Sequence, residues 1–218
     1  MLQTRSSPEE AEASFHRAIS VQEQLSRAYP DVLEYHNDLG RSHYDLGKML
    51  HERGQPARAV SALGRAVARH ESSLRLDPAN EVYRSNLFED QSLLMIVGLR
   101  LGDLEQASGL AEAGVVTLPD QAVSYLRGAA GLADCSARSA ADPAPSSTRR
   151  ASLSDEYADR AARLLRLGFE RGLLTGLDIF SLKEFRPLVG KTSFERLRNE
   201  IEVSPGSSAR APAGDEGR

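Results

Sequence analysis

Residues 25–68 read LSRAYPDVLEYHNDLGRSHYDLGKMLHERGQPARAVSALGRAVA, and much of this stretch returns further along the chain. Tyr35, Leu39, Leu46, Gly54, Ala59 and Val67 recur 48 positions later as Tyr83, Leu87, Leu94, Gly102, Ala107 and Val115. The echo extends backwards, where Pro8, Arg17, Ala18 and Glu23 match Pro56, Arg65, Ala66 and Glu71. Self-similarity with a period of roughly 20–50 residues marks stacked units, each of which can bury its apolar face only against its neighbours. The expected architecture is therefore an α-solenoid, which offers long surfaces rather than an enclosed reaction chamber.

Each unit reads as two helices. Ser7-Pro8-Glu9-Glu10 is a helix start, with a capping serine, a proline in the first turn and acids at the positive end of the dipole. Phe15, Ala18, Ile19 and Leu25 then repeat with helical period up to Pro30. A second helix, with Leu39, Leu46 and Leu50 inward, ends at Arg53-Gly54, and a third begins at Pro56. The pattern predicts units at about 7–30, 31–78, 79–119 and 120–172. Within the last unit, residues 139–153 are rich in Ala, Ser and Pro and read as a flexible loop, with helix resuming at Ser154-Asp155-Glu156. Short helical turns and a final helix are expected over 173–202, and a disordered tail over 203–218.

The first helix aligns with the second helix of a unit and so lacks a partner of its own. That leaves one flank of Phe15 and Ile19 open to a self-association contact.

Composition narrows the function. The 218-residue chain carries a formal charge of -4, so no basic field is available for nucleic acid or an anionic membrane. Its one cysteine, Cys135, rules out a disulfide framework and a cysteine-based zinc site, and points to a reducing, cytoplasmic setting. No apolar run is long enough to span a bilayer.

The motif His43-x2-Leu46-Gly47-x2-Leu50, followed by Gly54, Ala59, Leu63 and Ala66, resembles the tetratricopeptide repeat. Leu94, Gly98, Gly102, Ala107 and Ala111 repeat it, as do Tyr125, Gly128, Ala129 and Leu132 in the third unit. The usual unit has about 34 residues. Fourteen more, seven in each helix, add close to two turns per helix and keep the buried stripe on one side. Long-helix units of this kind are similar to repeat arrays of planctomycete-type bacteria that often follow a serine/threonine kinase domain. The C-terminal stretch, with its Phe194-x2-Leu197 helix, resembles the ending of such arrays.

The resemblance implies a right-handed solenoid of antiparallel helix pairs that binds a protein or peptide along its concave groove, without catalysis or cofactor. The alternative it carries is a detached regulatory repeat segment of a bacterial kinase. The kinase glycine-rich loop, His-Arg-Asp and Asp-Phe-Gly elements are absent from this sequence.

Carried over by position, the groove comprises Arg41, Tyr44, Lys48, His51 and Glu52 from one unit. Glu89, Ser92, Ile96, Leu99 and Arg100 follow from the next. Arg41, Lys48 and Arg100 are the residues suited to an acidic side chain or a terminal carboxylate. His43 and His51 share a helical face but have no ligand cluster around them, so no metal is expected. Arg149-Arg150-Ala151-Ser152 has the form of a basophilic kinase substrate, making Ser152 a candidate phosphosite just ahead of the helix expected at Ser154.

Overall fold

The computed structural model describes residues 8–203. Ser7, expected to cap the first helix, and the tail from residue 204 lie outside the described residues. Among the described residues eight α-helices follow one another: α1 (Pro8–Ala28), α2 (Leu33–Glu52), α3 (Pro56–Leu76), α4 (Glu81–Leu101), α5 (Leu104–Thr117), α6 (Ala122–Ala141), α7 (Ser147–Glu170) and α8 (Thr192–Val203). Two 3-10 turns, Ile179–Ser181 and Lys183–Leu188, precede α8, and no strand occurs among the described residues. The sequence period is visible in the helix limits. α1 and α3 both start on proline, 48 residues apart, and α2 and α4 start 48 apart as well.

Local chemistry sets the boundaries. Pro56 occupies the first turn of α3, where its missing N–H costs nothing. Asn80 caps α4 by accepting from the Val82 and Tyr83 amides, and Asp103 caps α5 by accepting from Gln106. Gly102 closes α4 at φ 81°, a left-handed conformation that glycine adopts without strain.

Each helix packs on the next, and α2 also touches α4 while α4 touches α6. The even-numbered helices thus form one continuous layer. α4 lies at the centre and serves two cores. Leu94 and Val97 join Leu39, Leu46, Leu63 and Ile19 on one side, while Met95 and Leu99 join Ala107, Ala111, Leu132 and Leu165 on the other. α1 packs on α2, burying Ile19 and leaving Val21 56 % exposed.

The expected loop at 139–153 is corrected. α6 continues to Ala141, the connection shrinks to residues 142–146, and α7 starts at Ser147 with Ser146 accepting from the Arg149 amide. Ser154 is therefore not a cap but a buried residue inside α7. Its backbone carbonyl accepts from Ser136 Oγ at 2.8 Å and its hydroxyl from Lys191 Nζ at 2.7 Å. Serine and alanine only suggest a loop when nothing packs on them. Here α6 and α7 face each other along their length, and that burial outweighs weak local propensity.

Close helix approach needs small residues. A Cβ on Gly128 would lie 2.6 Å from the Ala111 carbonyl oxygen, so α5 and α6 would have to separate. Gly64 and Gly109, by contrast, sit in helix interiors with open space where a methyl would go. Gly64→Ala and Gly109→Ala are each expected to add about 0.5–1 kcal/mol of stability, by restricting the unfolded chain and improving helix propensity. Gly128→Ala should cost about 1–3 kcal/mol through overpacking. Denaturant midpoints of the three variants check both signs.

Candidate functional site

The face formed by α2, α4 and α6 holds most of the predicted groove residues. Arg41, Lys48 and Glu52 are exposed on α2, with Tyr44 and His51 partly buried between them. On α4, Glu89 and Arg100 are exposed and Ile96 is 47 % exposed. Two predicted residues leave the groove. Ser92 and Leu99 are only 8 % and 6 % exposed, and Leu99 packs into the C-terminal core. The reason is that α4 is covered by neighbours on both sides, so only a narrow stripe through Glu89, Ile96 and Arg100 reaches solvent. A register taken from shorter helices does not locate that stripe.

The fold brings Arg41, Tyr44 and Glu89 together around a cavity of about 130 Å³. Its deeper wall is a polar cluster that sequence reading did not assemble: His70 of α3, with Asn86 and Asp90 of α4. His70 and Asp90 are each 1 % exposed, and Nδ1 lies 2.5 Å from Asp90 Oδ2. His70 Nε2 lies 3.2 Å from the Asn37 carbonyl, which can only accept, so Nε2 carries a hydrogen. The Nδ1–Oδ2 bridge then holds one shared proton. Burial pushes the Asp90 carboxyl up to about 6, against the lowering effect of the His70 hydrogen bond. Asn86 Nδ2 donates to Asn37 Oδ1 at 2.8 Å and ties α4 to α2.

Gly40 provides the room. A Cβ there would lie 2.5 Å from His70 Nε2. The rim is charged: Arg127 of α6 donates to Glu89 at 2.9 Å and lies over the Phe88 ring at 5.1 Å. Desolvation, then the Arg100 charge, lowers the His51 pKa, which places Arg100 near the far end of α2.

The missed residues (Asp45, His70, Asn86, Asp90 and Arg127) gave no sequence signal of their own. A histidine and an aspartate 20 residues apart on different helices look like ordinary surface residues until the helices are packed. Among the described residues the cavity with this buried proton-sharing pair is lined by no serine, threonine, cysteine or lysine. Cys135 lies in the C-terminal core with its thiol pushed up to about 12 by burial, which keeps it protonated at neutral pH. Among the described residues no group of three or more His, Cys, Asp or Glu side chains could hold a metal ion. Nor is any described helix long and apolar enough to cross a membrane. Ser152 is exposed in the second turn of α7, inside the helix rather than ahead of it.

No family model matches the chain, and no curated protein matches it. Among solved structures it is similar to BtubC (BKLC) from P. vanneervenii, at 12 % identity and a TM-score of 0.28, over 98 % of this chain and 99 % of that one.

Proposed function

We propose that this chain is a non-catalytic scaffold, a right-handed tetratricopeptide-like solenoid that binds a protein or peptide segment along the α2–α4–α6 face in the cytoplasm. The observation that carries the reading is the continuous even-helix layer, on which Arg41, Lys48, Ile96 and Arg100 stay exposed and Arg41 also borders a polar cavity. Guanidinium and ammonium groups beside an exposed isoleucine suit an extended segment with an acidic group and an apolar side chain. The lone, buried and protonated Cys135 agrees with a reducing setting and with a structural role.

Peptides selected from a random display library against the full chain, then titrated by calorimetry, test the proposal. Lys48→Glu combined with Arg100→Glu should weaken the selected peptides by about tenfold or more, as expected when charge-assisted contacts are reversed. Failure to select any peptide, or selected peptides that bind the double variant as tightly as wild type, would refute it.

A further inference from the structure

The 48-residue repeat places two cavities at equivalent positions on the odd-helix side. One lies between α1 and α3 over α2, measures about 320 Å³ and is bordered by Glu23, His43, Arg65, Ala68 and Arg69. The other, about 640 Å³, lies between α3 and α5 over α4 and is bordered by the matching Glu71, Gln91, Ala113, Val116 and Thr117. Both arise because successive odd helices pack on the even helix between them and hardly on one another.

The two differ in chemistry. In the second, the buried polar side chain is satisfied from within, as Thr117 Oγ1 donates to Gln91 Oε1 at 2.9 Å. In the first, His43 is 3 % exposed, its Nδ1 is fully buried, and neither ring nitrogen has a hydrogen-bond partner among the described residues. Where the second cavity has Ala113 and Thr117, the first has Arg65 and Arg69, one turn apart on α3. Neither arginine side chain makes an ion pair or a hydrogen bond among the described residues. Glu23 faces the same space from α1, held by Arg27 at 3.3 Å. The buried, unpartnered Nδ1 of His43 is costly, and beside it stand two guanidiniums without a carboxylate partner, Arg65 exposed and Arg69 half-buried, so one oxyanion between them would engage all three side chains.

We propose that the cavity between α1 and α3 is a binding site for a phosphate-class oxyanion, clamped by Arg65 and Arg69 and hydrogen-bonded by His43 from its floor. Burial, then the Arg65 charge, holds the His43 pKa down to about 4, with Glu23 opposing and Arg69 and His16 adding to the depression. At neutral pH the ring is therefore uncharged and offers a single N–H donor. Glu23 favours an anion that still carries a proton, because a P–O–H group can donate to its carboxylate and sulfate cannot. The site does not depend on the proposed peptide-binding face.

The test is a titration of the full-length chain with inorganic phosphate, sulfate and O-phosphoserine at constant ionic strength and near-neutral pH, following the His43 ring by NMR. Phosphate should give a saturable shift and raise the His43 titration midpoint from about 4, with a weaker response to sulfate. Arg65→Ala combined with Arg69→Ala, with the fold checked by circular dichroism, should weaken phosphate by about tenfold or more. O-Phosphoserine binding more tightly than phosphate assigns a phosphomonoester ligand, and binding no more tightly assigns the free anion; either supports the site. Absence of a saturable shift, an equal response to sulfate, or unchanged affinity in the double arginine variant would overturn the proposal.

Discussion

Asp90→Ala is expected to lower the unfolding free energy by about 3–5 kcal/mol, because it strands His70 in the interior without a partner for Nδ1. The imidazole cannot turn away to recover one. Its Nε2 is engaged by the Asn37 carbonyl, and its ring fills the space that Gly40 leaves open. Asp90→Asn should cost much less, since the amide N–H can donate to a neutral Nδ1. Removing both partners as His70→Ala with Asp90→Ala should cost less than the sum of the single changes, giving a coupling of about 1–3 kcal/mol. Denaturant melts of the four proteins at one pH measure the cycle. An Asp90→Ala cost below about 1 kcal/mol would mean that the pair does not fasten α3 to α4. The outcome also bears on the candidate groove, whose cavity uses this pair as its wall.

Phe194→Ala should be comparably severe, at about 3–5 kcal/mol, but its effect should begin locally. Phe194 is 1 % exposed and sits edge-on to Phe180 at 5.5 Å and tilted against Phe185 at 6.4 Å. Phe180 in turn stacks on Phe169 of α7 at 6.5 Å. Phe194 thus ties α8 to both 3-10 turns and, through Phe180, to the last long helix. A row of helices packed in sequence order leaves its last apolar face open unless something covers it, and these short elements cover the C-terminal core. Hydrogen exchange should show protection lost first over α8, with α2 and α3 holding longer because their buried residues belong to the other core. Val189→Ala, at a residue 61 % exposed, is the matched control and should stay within about 0.5 kcal/mol. Uniform loss of protection across all helices would show that the two cores unfold as one.

Much of the architecture is legible because it rests on local rules and simple periodicity. Pro8 and Pro56, Gly54 and Gly102, and the leucines between them announce paired helices with limits that the structure repeats to within a residue or two from α1 to α4. Elsewhere tertiary burial outweighs composition. The Ala- and Ser-rich stretch around 139–153 joined α6 and α7 because the two helices bury each other, and Ser154 became an interior hydrogen-bonding residue. Ser92 and Leu99 are buried for the same reason, since a groove register taken from a shorter repeat does not allow for a helix enclosed on both sides.

The amino-acid order alone determined that this chain is a row of stacked helix pairs, since apolar period, proline starts and glycine stops are properties of neighbouring residues. Only the tertiary structure decided which polar groups meet. Asp90 finds His70 across two helices, and Thr117 satisfies Gln91, while His43 at the matching place is left facing Arg65 and Arg69. Such encounters depend on the spacing and rotation of packed helices, which sequence separation does not encode.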